Sequence, residues 1–197
     1  LREDRRHIID QDFIKICKNK RILLNLEMAA SMKILKIALK NKPNFVCIVP
    51  EKRKEITTEG GLNLNKNRKN LRKIISKLKR SKIKVTLFIE PKKTDIEISK
   101  ILGSNCVELH TGKYCNLFNS KKRTSAAFLN LKKSAIFAKK LGLDVHAGHG
   151  LTYKSVSKIS KIKNISEFNI GHFIIADSLF IGLTKSINKF KRIINKI

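Results

Sequence analysis

The sequence has no tryptophan and few aromatic residues of any kind, 6% of its 197 positions. It is as poor in acids: 15 Asp+Glu stand against 44 Lys+Arg, a formal charge of +29. Such a surplus is the electrostatic footprint of a nucleic-acid binder, because Lys and Arg neutralise phosphates and release counterions. The scarcity of rings argues the other way, since a basic groove without them gives bases nothing to stack on. Zinc-finger spacing and RNP-type motifs are absent too. The lysines are scattered through every helical stretch, with no single basic arm or tail. No nucleic-acid partner is therefore expected, and a non-catalytic basic RNA-binding protein stays only as an alternative. The same positive field would draw anionic small molecules into a cleft.

No apolar run approaches the roughly 18 residues that a membrane span needs, so no membrane partner is expected. The opening residues, LREDRR, are charged and lack the apolar core of a secretory signal. They also lack a starting Met, which suggests a fragment or a trimmed start. None of the cysteines, Cys17, Cys47, Cys106 and Cys115, belongs to a CxxC pair. Cys47 and Cys106 lie in apolar runs, and the four are expected to be buried free thiols in a reducing cytoplasm, not a disulfide or zinc framework.

What is present is an alternation. Short β-prone runs occur at 21–26 (RILLNL), 45–49 (FVCIV), 84–89 (KVTLFI), 105–109 (NCVEL), 143–147 (LDVHA) and 167–170 (EFNI). They are nearly continuous in apolar residues, as parallel strands covered on both faces are. Helical stripes lie between them: Met28, Met32, Leu35 and Leu39; Leu71, Ile74, Ile75 and Leu78; Ala127, Leu131, Ala135, Ala138 and Leu141; and Leu179, Leu183, Ile187, Phe190 and Ile194. Residues 6–18 form a further predicted helix with Ile9, Phe13 and Ile16 on one side. Strand and helix in turn indicate one α/β domain over residues 1–197 with a parallel sheet. A doubly wound sheet and a closed barrel both satisfy that pattern. An eight-unit barrel usually takes ~250 residues, so a barrel here is incomplete at its N-terminus, with Leu1-Arg2 as the end of a further strand.

Chemistry-bearing residues gather where strands end. Glu27 follows the first run, Pro50-Glu51-Lys52-Arg53 the second and Glu90-Pro91 the third. Glu108, His110, Thr111 and Gly112 close the fourth, His146, Gly148, His149 and Gly150 the fifth, and Asn169, Gly171 and His172 the sixth. In a parallel barrel those ends share one rim, where active sites are built. Glu108 alternates with Val107 and Leu109, so it faces the lumen if those two face helices; a Glu paired with a lumen Lys or Arg fits the pattern equally well. Gly148-His149-Gly150 and Gly171-His172 bare the backbone to a ligand, and the second opens onto a helix predicted to begin near Ile174, whose free N–H groups favour an anion. His146 and His149 have a ligand-like spacing, but Gly148 breaks it and no third ligand is in register, so no metal is expected. His149 suits proton donation instead, because imidazole titrates near neutrality. The long connection 50–70, with Gly60-Gly61, suits a lid.

These residues also carry a family resemblance. The blocks 1–8 (LREDRRHI), 25–30 (NLEMAA), 49–61 (VPEKRKEITTEGG), 108–114 (ELHTGKY), 147–151 (AGHGL) and 169–172 (NIGH) resemble those of the pyridoxine 5′-phosphate synthases, in that family's order and along the whole chain. The resemblance implies a (β/α)8 TIM barrel that condenses 1-deoxy-D-xylulose 5-phosphate with 3-amino-2-oxopropyl phosphate. The products are pyridoxine 5′-phosphate, phosphate and water. It implies no metal or organic cofactor, two phosphorylated substrates as partners, and a homo-oligomer, an octamer. By motif, Glu27 stands at the family's general base, His149 at its proton donor and Glu108 at the group that stabilises transition-state charge. Arg2, His7 and Thr57 stand at positions holding deoxyxylulose phosphate, and Gly150, Gly171 and His172 at the amino-oxopropyl phosphate pocket. The family continues N-terminally through a first strand and helix and most of a second strand, with a catalytic His just ahead of the position of Leu1. His146 stands where the family has Asn, adding an ionisable group beside His149. Another phosphosugar-handling barrel enzyme, an isomerase or aldolase, is the alternative; a Schiff-base aldolase would want a strand-end lysine inside the barrel.

Overall fold

The computed structural model describes residues 1–50, 60–66 and 68–195. Among these the chain runs α1 (Asp10–Lys18), β1 (Asn25–Met28), α2 (Met32–Asn41), β2 (Phe45–Ile48), α3 (Arg68–Arg80), β3 (Lys84–Ile89), α4 (Lys93–Leu102) and β4 (Cys106–His110). It continues through α5 (Gly112–Asn119), α6 (Ser125–Lys140), β5 (Asp144–Gly148), α7 (Tyr153–Ile159), β6 (Glu167–Asn169), α8 (His172–Ile181) and α9 (Leu183–Ile194). Every ladder is parallel, and the strands lie side by side in chain order from β1 to β6. A doubly wound sheet requires a reversal of strand order, and there is none. Right-handed crossovers then put all the intervening helices on one face, and the sheet wraps its other face inward.

The curl is visible in side-chain contacts. Cys47 on β2 reaches Glu108 on β4, Sγ to Oε2 3.4 Å, although β3 runs between them. In a flat sheet those strands would stand about 10 Å apart. The described strands therefore form a half-barrel.

Strand alternation sorts residues into two layers. Leu26, Met28, Val46, Ile48, Val85, Leu87, Ile89, Val107, Leu109, Val145 and Ala147 point outward into the main core beneath the helices. Helix α3 shows how the helices meet them: Leu71, Ile74, Ile75 and Leu78 are all buried at helical spacing, while its lysines and arginines face water. Cys47, Val49 and Phe88 form a separate small cluster on the inner face. Among the described residues, no helix is long and apolar enough to cross a membrane.

Four sequence expectations need correction; the first is Met28, drawn at the head of a helical stripe, which is the last residue of β1. The predicted strand at 21–26 begins at Asn25, where Asn25 pairs with Phe45; Ile22 and Leu23 ahead of it are exposed. The helix predicted from residue 6 begins at Asp10, because residues 4–6 are held in a turn by the Asp4 carboxylate, which accepts the Arg6 N–H at 3.2 Å. The stripe drawn from Leu179 to Ile194 crosses Gly182, whose φ of 85° and ψ of 146° break the helix into α8 and α9. Leu179 and Leu183 accordingly lie exposed, and of that stripe only Phe190 is buried.

Candidate active site

The inner face ends in a cleft of 680 Å³. Its wall includes Arg2, His7, Glu27, Glu108, His149, Gly150, Gly171 and His172, so residues beside β1 and residues after β6 meet across it. Eight residues singled out in the sequence are thus gathered in one place. Thr57, and most of the connection 50–70 with its expected lid, lie outside the described residues.

Among the described residues Glu108 is the most deeply seated acid. Val107 and Leu109 pack outward, as alternation requires, and turn Glu108 inward to 3% exposure. Room for its carboxylate comes from the neighbouring strand: a Cβ on Gly148 would collide with Glu108 Oε1. Burial is the main reason its pKa is raised to about 8, and the negative charge of Glu27 adds to it. The Asn169 side chain and the Cys47 thiol pull it partway back. Burial and the charges of Glu108 and Glu27 hold Cys47 well above the usual thiol range, so it faces Glu108 as a neutral donor. Near neutral pH Glu108 is therefore largely a protonated acid.

Glu27 differs. It stands on β1 opposite Cys47 with its carboxylate exposed in the cleft. Alongside β1, the Leu1 nitrogen donates to the Glu27 carbonyl at 2.6 Å. Arg2 Nη1 donates to the Pro50 carbonyl at 3.2 Å and spans towards the end of β2.

His149 leaves β5 with φ of 81°, a left-handed conformation for a residue with a side chain. It is held there from the residue after β4: the Thr111 hydroxyl donates to the carbonyls of Gly148, at 2.8 Å, and His149, at 2.5 Å. Gly150 follows at φ of 75°, and a Cβ on it would press on the Cys115 Cβ at 3.1 Å. Across the cleft, Gly171 caps α8, whose first intrahelical bond is Ile175 N–H to the Gly171 carbonyl at 3.1 Å. The earlier N–H groups of that turn have no helical partner. A Cβ on Gly171 would meet nothing within 4 Å, so open space lies over this helix start. The helix begins at His172, two residues earlier than expected.

His146 does not join this rim. It sits lower on β5, in register with Glu108 and Glu167, with Nδ1 3.5 Å from Glu167 Oε1. Burial lowers its pKa, and the Glu167 and Asp144 charges oppose that. Reasoning on strand ends missed Cys47, Val49 and Phe88, which lie within strands or their immediate extension. Phe88 is Glu108's own register partner on β3, and Cys47 stands opposite Thr86, two residues before Phe88 and on the same face.

Residues 1–196 match a family described as pyridoxal phosphate biosynthesis protein PdxJ. The chain is 57% identical over 196 residues to the pyridoxine 5′-phosphate synthase of Pelagibacter ubique, covering 100% of this chain and 82% of that one. It is 48% identical over 191 residues to the enzyme of that name from Zymomonas mobilis, covering 97% of this chain and 74% of that one. Among solved structures it is similar in fold to the YdjI aldolase of Escherichia coli K12, with a TM-score of 0.57 at 12% identity over 95% of this chain and 72% of that one. Citrate synthase SbnG gives a TM-score of 0.53 at 12% identity over 87% of this chain and 73% of that one.

Proposed function

The chain belongs to the PdxJ family, the biosynthetic pyridoxine 5′-phosphate synthases, and from that premise we propose that its cleft condenses 1-deoxy-D-xylulose 5-phosphate with 3-amino-2-oxopropyl phosphate. The products are pyridoxine 5′-phosphate, phosphate and water. The observation that carries this is the convergence of Glu27, Glu108, His149, Gly171 and His172 on one cleft.

Ring closure needs enolisation, imine formation and dehydration, each a proton transfer. Glu27, open to the cleft, serves as the base. His149 gives a proton to the departing oxygen. Glu108, held neutral by burial, donates a hydrogen bond to an oxygen that gains negative charge, a task for which a carboxylic acid is better than a carboxylate. Arg2 and His7 hold one phosphate ester on the β1 side, together with Thr57. The open helix start at Gly171-His172 receives the other, with Gly150 beside it. The reaction takes no metal or organic cofactor. In the same reading the strands are staves of a (β/α)8 barrel, one domain, working as a homo-oligomer in the cytoplasm. A Schiff-base aldolase fits less well, because among the described residues no lysine lines the cleft.

The test is direct. The protein is incubated with both phosphorylated substrates, and pyridoxine 5′-phosphate is followed by mass spectrometry. Glu27→Gln and His149→Asn are each expected to lower kcat by about 10²- to 10⁴-fold, the usual range for a lost general base or acid. Turnover of Glu27→Gln at the parent's rate would remove Glu27 from the role of base.

A further inference from the structure

Two strand-end groups that this chemistry leaves unused stand directly behind His149. Glu90, just past β3, accepts on one carboxylate oxygen from both the Gly61 N–H and His110 Nδ1, each at 2.9 Å. His110 is the last residue of β4, and its side chain is 11% exposed. Its ring stands edge-on to Phe88, with centroids 5.2 Å apart, and tilts against His149 at 4.8 Å. Hydrogen bonding to a carboxylate places a proton on Nδ1 and fixes the ring's orientation. His110 Nε2 then points away from Glu90, buried and without a hydrogen-bond partner among the described residues. A Cβ on Gly112 would come within 2.6 Å of that Nε2 and 3.0 Å of His149 Cδ2. The glycine at 112 is therefore what allows the two imidazoles to approach.

We propose that Glu90 and His110 are positioning residues for His149: the carboxylate locks the His110 ring, and that ring sets the angle at which the His149 imidazole enters the cleft. The proposal rests on the reading of His149 as proton donor. It explains why a histidine, and not simply another aromatic residue, ends β4. A phenylalanine would fill the same space but could not be locked in rotation by Glu90. Because the same Glu90 oxygen holds the Gly61 N–H, the chain at Gly60-Gly61 is tied to the orientation of this imidazole pair.

Three variants decide it. His110→Phe keeps a ring between Phe88 and His149 but removes the bond to Glu90. Glu90→Ala removes the acceptor, whereas Glu90→Gln keeps an oxygen for both donors. His110→Phe and Glu90→Ala are expected to lower kcat about 10- to 100-fold, the scale of a misplaced reacting group, with KM for both substrates within about threefold. Glu90→Gln should restore kcat to within about threefold of the parent. In the ligand-free protein, the His149 ring-nitrogen signals, assigned by their loss in His149→Asn, should shift in the first two variants and stay in place in Glu90→Gln. Unmoved His149 signals in both His110→Phe and Glu90→Ala would overturn the proposal, whatever the activity. Shifted signals with undiminished kcat would uphold the positioning and overturn instead the role of His149 as proton donor. If His110→Phe does not fold, the Glu90→Ala and Glu90→Gln pair decides through the same signals.

Discussion

Glu108 shows what one residue can do to the pH response of the whole chain. Its pKa stands at about 8 against an ordinary value of 4.5, so between those values the folded protein holds a proton that the unfolded chain releases. Stability must then fall as pH rises through this window and level off above it, at a slope on the order of 1 kcal/mol per pH unit. Glu108→Gln is neutral throughout and escapes that loss. Its melting temperature is therefore expected to gain on the parent's steadily from pH 5 to pH 8. A constant difference across that range would show that Glu108 is ionised in the folded state. At this scale the sequence disclosed Glu108 itself, because Val107 and Leu109 flank it in alternation. It did not disclose the thiol of Cys47 or the side chain of Asn169 beside it. Those neighbours are set by strand register and sheet curl, which no local pattern encodes.

At the scale of elements, the strands were legible wherever an apolar run was also buried. β3 matched its predicted residues because all but its first residue are covered. Residues 21–24 misled because the side chains of Ile22 and Leu23 stay in water. Helix α3 announced itself by one apolar stripe on a basic background, whereas α8 is apolar on every side and offers no periodicity to read. The contact between β4 and β5 gives an element-level expectation. Gly148 is glycine for space, not for conformation, since the Glu108 carboxylate occupies the place of its Cβ. Gly148→Ala should cost about 1–3 kcal/mol, as overpacking of a filled interior does. Glu108→Asp, which draws the carboxylate back, should recover part of that loss in the double variant. Equilibrium denaturation of the two single variants and the double one checks this; strict additivity would mean that the two side chains do not meet.

For the molecule as a whole, the dominant quantity is charge. Ion pairs such as Lys139–Asp144, at 2.9 Å, are few by necessity, because 15 acids cannot neutralise 44 bases. The helices carry that surplus on their outer faces, where like charges repel across water, and the same field reaches the cleft. Salt shortens its reach from roughly 10 Å at 0.1 M to about 3 Å at 1 M. Two effects of opposite sign follow from that one cause. Raising sodium chloride from 0.05 to 0.5 M should raise the melting temperature by a few degrees, as self-repulsion is screened. It should also raise KM for both phosphorylated substrates while leaving kcat nearly unchanged, since capture weakens but the groups in the cleft do not move. Thermal scans and initial rates over the same salt series measure both. A melting temperature that falls with salt would show that paired charges, not unpaired ones, govern this surface. A KM indifferent to salt would confine substrate capture to contacts made inside the cleft.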